Sequence, residues 1–166
     1  SLTRTACHSL QKRSLDLSET WLQSKDVVQN AFYVPVGKAS DIAVGGMIAI
    51  ILSVRDLEAQ NIPEELQKQL QNKELLICNA GGTFYALDRR CTHKNAAMEK
   101  GTLDGTILTC PAHCAQFDVR TGEALSNPVP LDGSYERSAS TTFEPIESLR
   151  SWKIKVDDNG LLVLAV

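Results

Sequence analysis

Residues 90–130 read RCTHKNAAMEKGTLDGTILTCPAHCAQFDVRTGEALSNPVP, and two short segments within them carry the chemistry. Cys91-Thr92-His93 and Cys110-Pro111-Ala112-His113 each place one thiolate and one imidazole on a tight loop, with sixteen residues between His93 and Cys110. That separation leaves room for a strand hairpin, so the two loops can converge at one end of a sheet and offer four ligands. Soft thiolates with borderline imidazoles suit zinc or an iron–sulfur centre. A Cys₂His₂ zinc finger pairs like with like, as C-x₂₋₄-C and H-x₃₋₅-H. Here each loop pairs a Cys with a His and the first gap is a single residue, which departs from the zinc pattern.

Outward from these loops the chain reads as short strands with turn punctuation. Asp104-Gly105 is a turn feeding a strand within 103–109, and the strand 116–119 runs into Thr121-Gly122. Upstream, 74–79 and 83–87 flank Ala80-Gly81-Gly82 as a hairpin, and 32–36 and 47–54 are strand-like. Downstream, Trp152, Ile154 and Val156 alternate with Lys153, Lys155 and Asp157 as one half-buried strand. Asn159-Gly160 then turns it into 161–166. Residues 56–71 interrupt the strands with a helical insertion. Pro63 followed by Glu64 and Glu65 suits a first turn, and Leu66 and Leu70 share a face. These signals predict an all-β fold: an antiparallel β-sandwich or small barrel with a helical insertion. Residues 1–30 form an N-terminal extension, partly helical, with a short amphipathic helix expected over 18–30 from Trp21 and Val28.

The 166 residues, 43% hydrophobic and 22% charged, suit one domain with a real core plus an appendage. Seventeen basic against twenty acidic residues give a formal net charge of −3, and no basic cluster suggests nucleic acid. The longest apolar run, 43–54, falls short of the roughly 20 residues of a membrane-spanning helix, so a soluble chain with no membrane span is expected. Five cysteines, an odd number, do not form a disulfide scaffold and fit a reducing compartment, hence the cytoplasm. The first fifteen residues carry Arg4, Lys12 and Arg13 without an acid, a weak likeness to a targeting segment that a plain basic start equally explains.

The arrangement Cys91-x-His93, sixteen residues, Cys110-x₂-His113, followed by Phe117-Asp118, Thr121-Gly122 and Pro128, resembles the Rieske family. The resemblance spans residues 31–166 in the order of strands and is sharpest in a cluster-binding subdomain at about 89–130. It implies a [2Fe–2S] cluster in which Cys91 and Cys110 hold an inner iron and His93 and His113 an outer one, with Pro128 on a third loop covering it. Neutral imidazoles in place of two thiolates make the site less negative and raise its potential from about −400 mV into roughly −150 to +300 mV. Free ring nitrogens that lose a proton in the oxidised form would lower the potential at high pH.

High-potential members resemble CTHLGC and CPCHGSxYD, with a disulfide between the loops and hydroxyl donors to the cluster. Here those positions are Ala96, Ala112, Ala115 and Phe117, which points to a low-potential, ferredoxin-like member. One departure is Cys114 where the family has glycine, awkward if the backbone there has a positive φ. Cys78 reads as a buried small apolar residue, Lys94 and Lys100 as surface charge, and Asp118 as a turn residue.

The resemblance implies an electron-transfer component, not an enzyme by itself, passing single electrons from a reductase to an oxygenase or other terminal oxidoreductase. His8 is the only further histidine, so a 2-His-1-carboxylate iron site is not expected. Two alternatives stand beside it. One is a small Rieske subunit of a multi-subunit oxidoreductase, similar to that of arsenite oxidase or assimilatory nitrite reductase. The other is a zinc-bound structural module.

Overall fold

A computed structural model of the chain describes residues 32–129 and 146–166. The helix expected over 18–30 lies outside the described residues. In chain order the elements are β1 (Tyr33–Lys38), β2 (Met47–Ile51), α1 (Val54–Ala59), α2 (Glu64–Leu70), β3 (Glu74–Ala80), β4 (Thr83–Asp88), β5 (Thr102–Asp104) and β6 (Ile107–Thr109). They continue as β7 (Gln116–Asp118), β8 (Ala124–Ser126), β9 (Ser151–Trp152), β10 (Ile154–Val156) and β11 (Leu161–Ala165).

The strands form three antiparallel sheets, ordered β1-β11-β10, β2-β3-β4-β9 and β5-β6-β7-β8. The central strand is β3, whose run Leu75–Asn79 is buried throughout. Its side chains alternate in direction with the period of two that a pleated strand imposes. Leu75 and Ile77 enter one apolar cluster with Val34, Leu52, Leu57, Leu162 and Leu164. Leu76 and Cys78 enter a second with Cys91, Met98, Leu108, Cys110, Phe117 and Leu149. One strand therefore supports the base of the molecule on one face and the sheet bearing the two loops on the other.

Three local readings change in the structure. The apolar run 47–54 ends as a strand at Ile51, because Ser53 caps α1. Its Oγ accepts a hydrogen bond from the Asp56 amide, and the Asp56 carboxylate accepts one from the Ser53 amide. This reciprocal box satisfies donors that a helix start leaves bare, so it competes with extension of the strand. The helical insertion is two short helices, broken at Asn61 with φ +52. Pro63 stands one residue before α2, where its missing N–H costs nothing.

The strand expected over 152–156 is divided at Lys153. Trp152 pairs with Ala86 of β4, whereas Ile154 pairs with Leu164 of β11. Both side chains pack against the first apolar cluster, so the alternation expected of one strand survives although the chain changes sheets. Within 103–109 a complete β5–β6 hairpin turns through Gly105-Thr106, one residue later than Asp104-Gly105, and Gly105 takes φ +56. The strand β8 carried no clear sequence signal, being three residues long.

Candidate metal centre

The first Cys-His segment follows β4 of the second sheet and the second joins β6 to β7 of the third, and the two share one backbone frame. In the first loop the Cys91 amide donates to the Ala96 carbonyl at 2.9 Å, and the Asn95 amide returns a bond to the Cys91 carbonyl at 2.9 Å. In the second the Cys110 amide donates to the Ala115 carbonyl at 2.8 Å, and the Cys114 amide to the Cys110 carbonyl at 3.1 Å. Each turn closes through a left-handed fifth residue, Asn95 at φ +58 and Cys114 at φ +57. The loops differ in where they place histidine, third in one and fourth in the other.

The loops are held from below. Arg90 bridges to Ala97, and the Met98 amide donates to the Arg89 carbonyl at 3.1 Å. The Arg89 guanidinium pairs with Glu99 and Glu74, and that of Arg90 pairs with Glu74 of β3. Gly101, at the exit of the first loop, crosses β6 so closely that a Cβ there would meet the Thr109 carbonyl oxygen at 2.0 Å.

Two further segments, one for each loop, add hydrogen bonds to them. Pro128 is buried, and the Val129 amide donates to the His113 carbonyl at 2.6 Å. The Thr92 hydroxyl donates to the Glu147 carbonyl at 2.7 Å, and the Leu149 amide to the Gly122 carbonyl at 2.8 Å. The resemblance had pointed to a covering loop at Pro128, but not to these bonds, since two of the three use main-chain groups alone.

The structure brings the four expected residues together as two pairs, Cys91 with Cys110 and His93 with His113. Cys91 and Cys110 are buried at 3% and 2% exposure, with their thiols within hydrogen-bonding reach of one another and no disulfide. The imidazoles of His93 and His113 meet edge to face, centroids 4.8 Å apart. Each ring is half-buried, yet its Nδ1 is fully buried and without a hydrogen-bond partner among the described residues. Leaving a polar atom in that state costs about 1–3 kcal/mol, so the two orphaned nitrogens are suited to accept a ligand partner. Among the described residues no three His, Cys, Asp or Glu side chains gather as ligands of a single ion. The four groups stand as a thiol pair and an imidazole pair, which is the donor division of a binuclear centre with Cys₂ on one iron and His₂ on the other.

Burial raises the Cys91 thiol above its ordinary value, reinforced by the neighbouring Cys110 and opposed by the main-chain amides of His93 and Lys94 directed at its sulfur. Burial also lowers His93, helped by the nearby His113 and Lys94 charges. Both shifts favour neutral imidazole and disfavour a bare thiolate.

The neighbours fall as expected. Cys78 is fully buried, and burial pushes its thiol up to about 12, so it behaves as a small apolar side chain. Lys94 and Lys100 are exposed. Asp118 organises the turn to Gly122 through main-chain bonds and pairs with Arg120, whose guanidinium holds its carboxyl below the usual range. Ala96 and Ala112 pack against the second apolar cluster, and Ala115 and Phe117 are fully buried within it.

Residues 33–136 match the family model described as the Rieske [2Fe-2S] domain. The ferredoxin component of the naphthalene 1,2-dioxygenase system of Pseudomonas putida is 37% identical over 83 residues, 47% of this chain and 80% of that protein. The ferredoxin subunit of the 3-phenylpropionate/cinnamic acid dioxygenase of Escherichia coli K12 is 39% identical over 70 residues, 41% of this chain and 66% of that protein. Among solved structures, the Sphingomonas yanoikuyae B1 ferredoxin aligns with a TM-score of 0.55 at 21% identity, covering 82% of this chain and 99% of the other. That last likeness establishes the fold.

Proposed function

Since the chain belongs to the Rieske [2Fe-2S] domain family, we propose that it is a one-electron carrier whose cluster is held by Cys91, His93, Cys110 and His113. It receives its electron from a reductase and delivers it to a terminal oxygenase or comparable oxidoreductase. The partners follow from the relatives, which are ferredoxin components of aromatic-ring dioxygenase systems by their descriptions. The cluster-bearing part spans about 89–130 within a domain of 31–166.

The observation that carries the assignment is the pair of buried Nδ1 atoms without a partner among the described residues, on the same two loops as two buried thiols. A cluster bound there supplies a reversible one-electron couple and undergoes no group transfer. The residues do the rest. Cys91 and Cys110 fix the inner end against the apolar floor of Leu108 and Phe117. His93 and His113, half-buried, form the route by which an electron reaches the surface. The main-chain amides at Cys91 stabilise negative charge on its sulfur. The absence of hydroxyls at Ala115 and Phe117 removes donors that would stabilise a reduced centre further, placing the potential nearer −150 mV than +300 mV within the family range.

Among the described residues no helix is long and apolar enough to cross a membrane. The unbridged thiols of Cys78 and Cys114 support placement in a reducing compartment, the cytoplasm.

The test is electron paramagnetic resonance of the dithionite-reduced protein, with visible spectra before reduction. A rhombic signal of low average g value is expected, lost in Cys110→Ser and retained in Cys78→Ala. A colourless, zinc-containing sample would overturn the proposal, as would an all-thiolate signal.

A further inference from the structure

β2 lies at the edge of the second sheet, paired with β3 on one side and with no described strand on the other. The bonds at its two ends fix which main-chain groups face the open side. The Gly46 carbonyl accepts from the Asn79 amide. The Leu52 amide donates to the Lys73 carbonyl, and the Leu52 carbonyl accepts from the Asn72 amide. Residues of an antiparallel ladder alternate between bonding the neighbour and facing away, and the register is unbroken from Met47 to Ile51. Ile48 and Ile50 therefore bond β3, and the amides and carbonyls of Met47, Ala49 and Ile51 point outward. None of these six groups has a main-chain partner among the described residues.

Edge strands are commonly guarded by charge, proline or a bulge. Residues 42–54, IAVGGMIAIILSV, hold no charged residue and no proline, and the pairing of β2 with β3 has no bulge. β2 is wholly apolar, yet none of its residues is buried, whereas the run Leu75–Asn79 of β3 is buried throughout. The two most exposed large apolar residues among those described stand at its ends. They are Val44, 71% exposed in the turn before the strand, and Ile51, 55% exposed as its last residue. A hollow of about 380 Å³ opens at the Ile51 end, walled by Pro35, Val36, Ile50, Ile51, Leu52 and Asp56.

These features complement their own copies. A second β2 laid antiparallel and centred on Ala49 sets Met47 against Ile51 twice and Ala49 against itself. All three outward residues of each chain then exchange both of their bonds. Ile48 stands opposite Ile50 on one face of the seam and Met47 opposite Ile51 on the other, so every cross-strand pair is apolar and no like charges meet. Because the strands run oppositely, the end that carries Val44 comes to the end of the other chain that carries the hollow. A two-fold axis makes each match occur twice.

We propose that the open edge of β2 is a self-association surface, where a second copy of this chain pairs and joins the two four-stranded sheets into one. Two strands of five residues cover less than the roughly 1,200 Å² of a standard interface, so the pair forms reversibly and at high concentration. The seam includes no residue of the two Cys-His loops, so the inference stands apart from the assignment of the ligands.

The experiment is sedimentation of the full chain, carrying its cluster, from about 1 μM to about 1 mM with a thiol reductant present. Amide exchange is followed at both ends of the series. A reversible equilibrium between monomer and dimer is expected. On association the amides of Met47, Ala49 and Ile51 should slow at least about tenfold, while those of Ile48 and Ile50 are protected at every concentration. Ile51→Lys places a guarding charge at the seam and should weaken association at least about tenfold. Ala49→Pro removes one outward amide, leaves the ladder to β3 intact and should act likewise. The visible spectrum stays unchanged in both variants. A parent chain that remains monomeric throughout would overturn the proposal. So would a dimer whose Met47, Ala49 and Ile51 amides still exchange freely, or open-ended aggregation in place of a closed pair.

Discussion

Cys114 occupies a left-handed backbone position, φ +57, while its side chain is exposed to solvent. A residue with a Cβ in that conformation carries roughly 1–2 kcal/mol of strain that glycine avoids. Asn95 occupies the matching place in the first loop at φ +58, but asparagine tolerates it better because its short polar side chain bonds locally. Cys114→Gly should therefore raise the thermal midpoint by roughly 2–8 °C, with the visible spectrum of the centre unaltered, and Asn95→Gly should raise it less. Thermal melts followed at a cluster absorption band decide this. An unchanged or lowered midpoint in Cys114→Gly would show that the thiol makes a contact worth more than the strain. The sequence had raised the question at this residue by placing cysteine where glycine is usual. It was silent on Asn95, because asparagine in a loop is too common to signal a particular φ.

At the scale of elements, the loops depend on segments distant in sequence. Gly122, φ +81, lies so close to the chain at Leu149 that a Cβ would meet the Leu149 carbonyl oxygen at 1.9 Å. The same contact seats the segment whose Glu147 carbonyl accepts the Thr92 hydroxyl bond. Gly122→Ala is expected to cost roughly 2–4 kcal/mol, in the range of substitutions that strain a special backbone site, and to speed loss of cluster absorbance in urea. Thr92→Val, which removes only the hydroxyl bond, should cost about 1 kcal/mol. Equal effects from the two variants would place the constraint at Thr92 and not at the glycine contact. The expected strand over 152–156 belongs to this scale as well. Its alternation was legible and correct, but Lys153 sends Trp152 and Ile154 to different sheets. Alternation reports which way side chains point and carries no information on which strand lies alongside.

Across the molecule, the base and the loop-bearing sheet are linked by a charge network. Glu74 on β3 and Glu99 below the first loop are both held under the usual carboxylate range, chiefly by hydrogen bonds from Arg90 and Arg89 respectively. A carboxylate lowered on folding contributes stability that is complete above its unfolded value, near 4.5 here. That stability fades as pH falls through the lower folded value. Unfolding free energy, measured in urea, should thus decline between about pH 5 and pH 3.5, and Glu99→Gln should make the decline shallower while lowering stability at pH 7. A variant profile parallel to that of the parent protein would remove Glu99 from the account. All three side chains of Glu74, Arg89 and Glu99 keep between 18% and 29% exposure, so solvent screening keeps each pair modest.

The sequence by itself determined the class and named the candidate ligands. Cys91, His93, Cys110 and His113 declare themselves by type and spacing, and the short alternating segments between turn signals declare an antiparallel β-protein, because donor identity and side-chain period are local properties of a chain. The tertiary structure alone decided that β3 serves two cores and that the chain changes sheets at Lys153. It alone showed that Thr92, Gly122 and Val129 tie the loops to chain that arrives from elsewhere. These depend on main-chain carbonyls, amides and the lack of a Cβ, which every sequence possesses in some form, and they acquire meaning only when distant segments are brought within a few ångströms of each other.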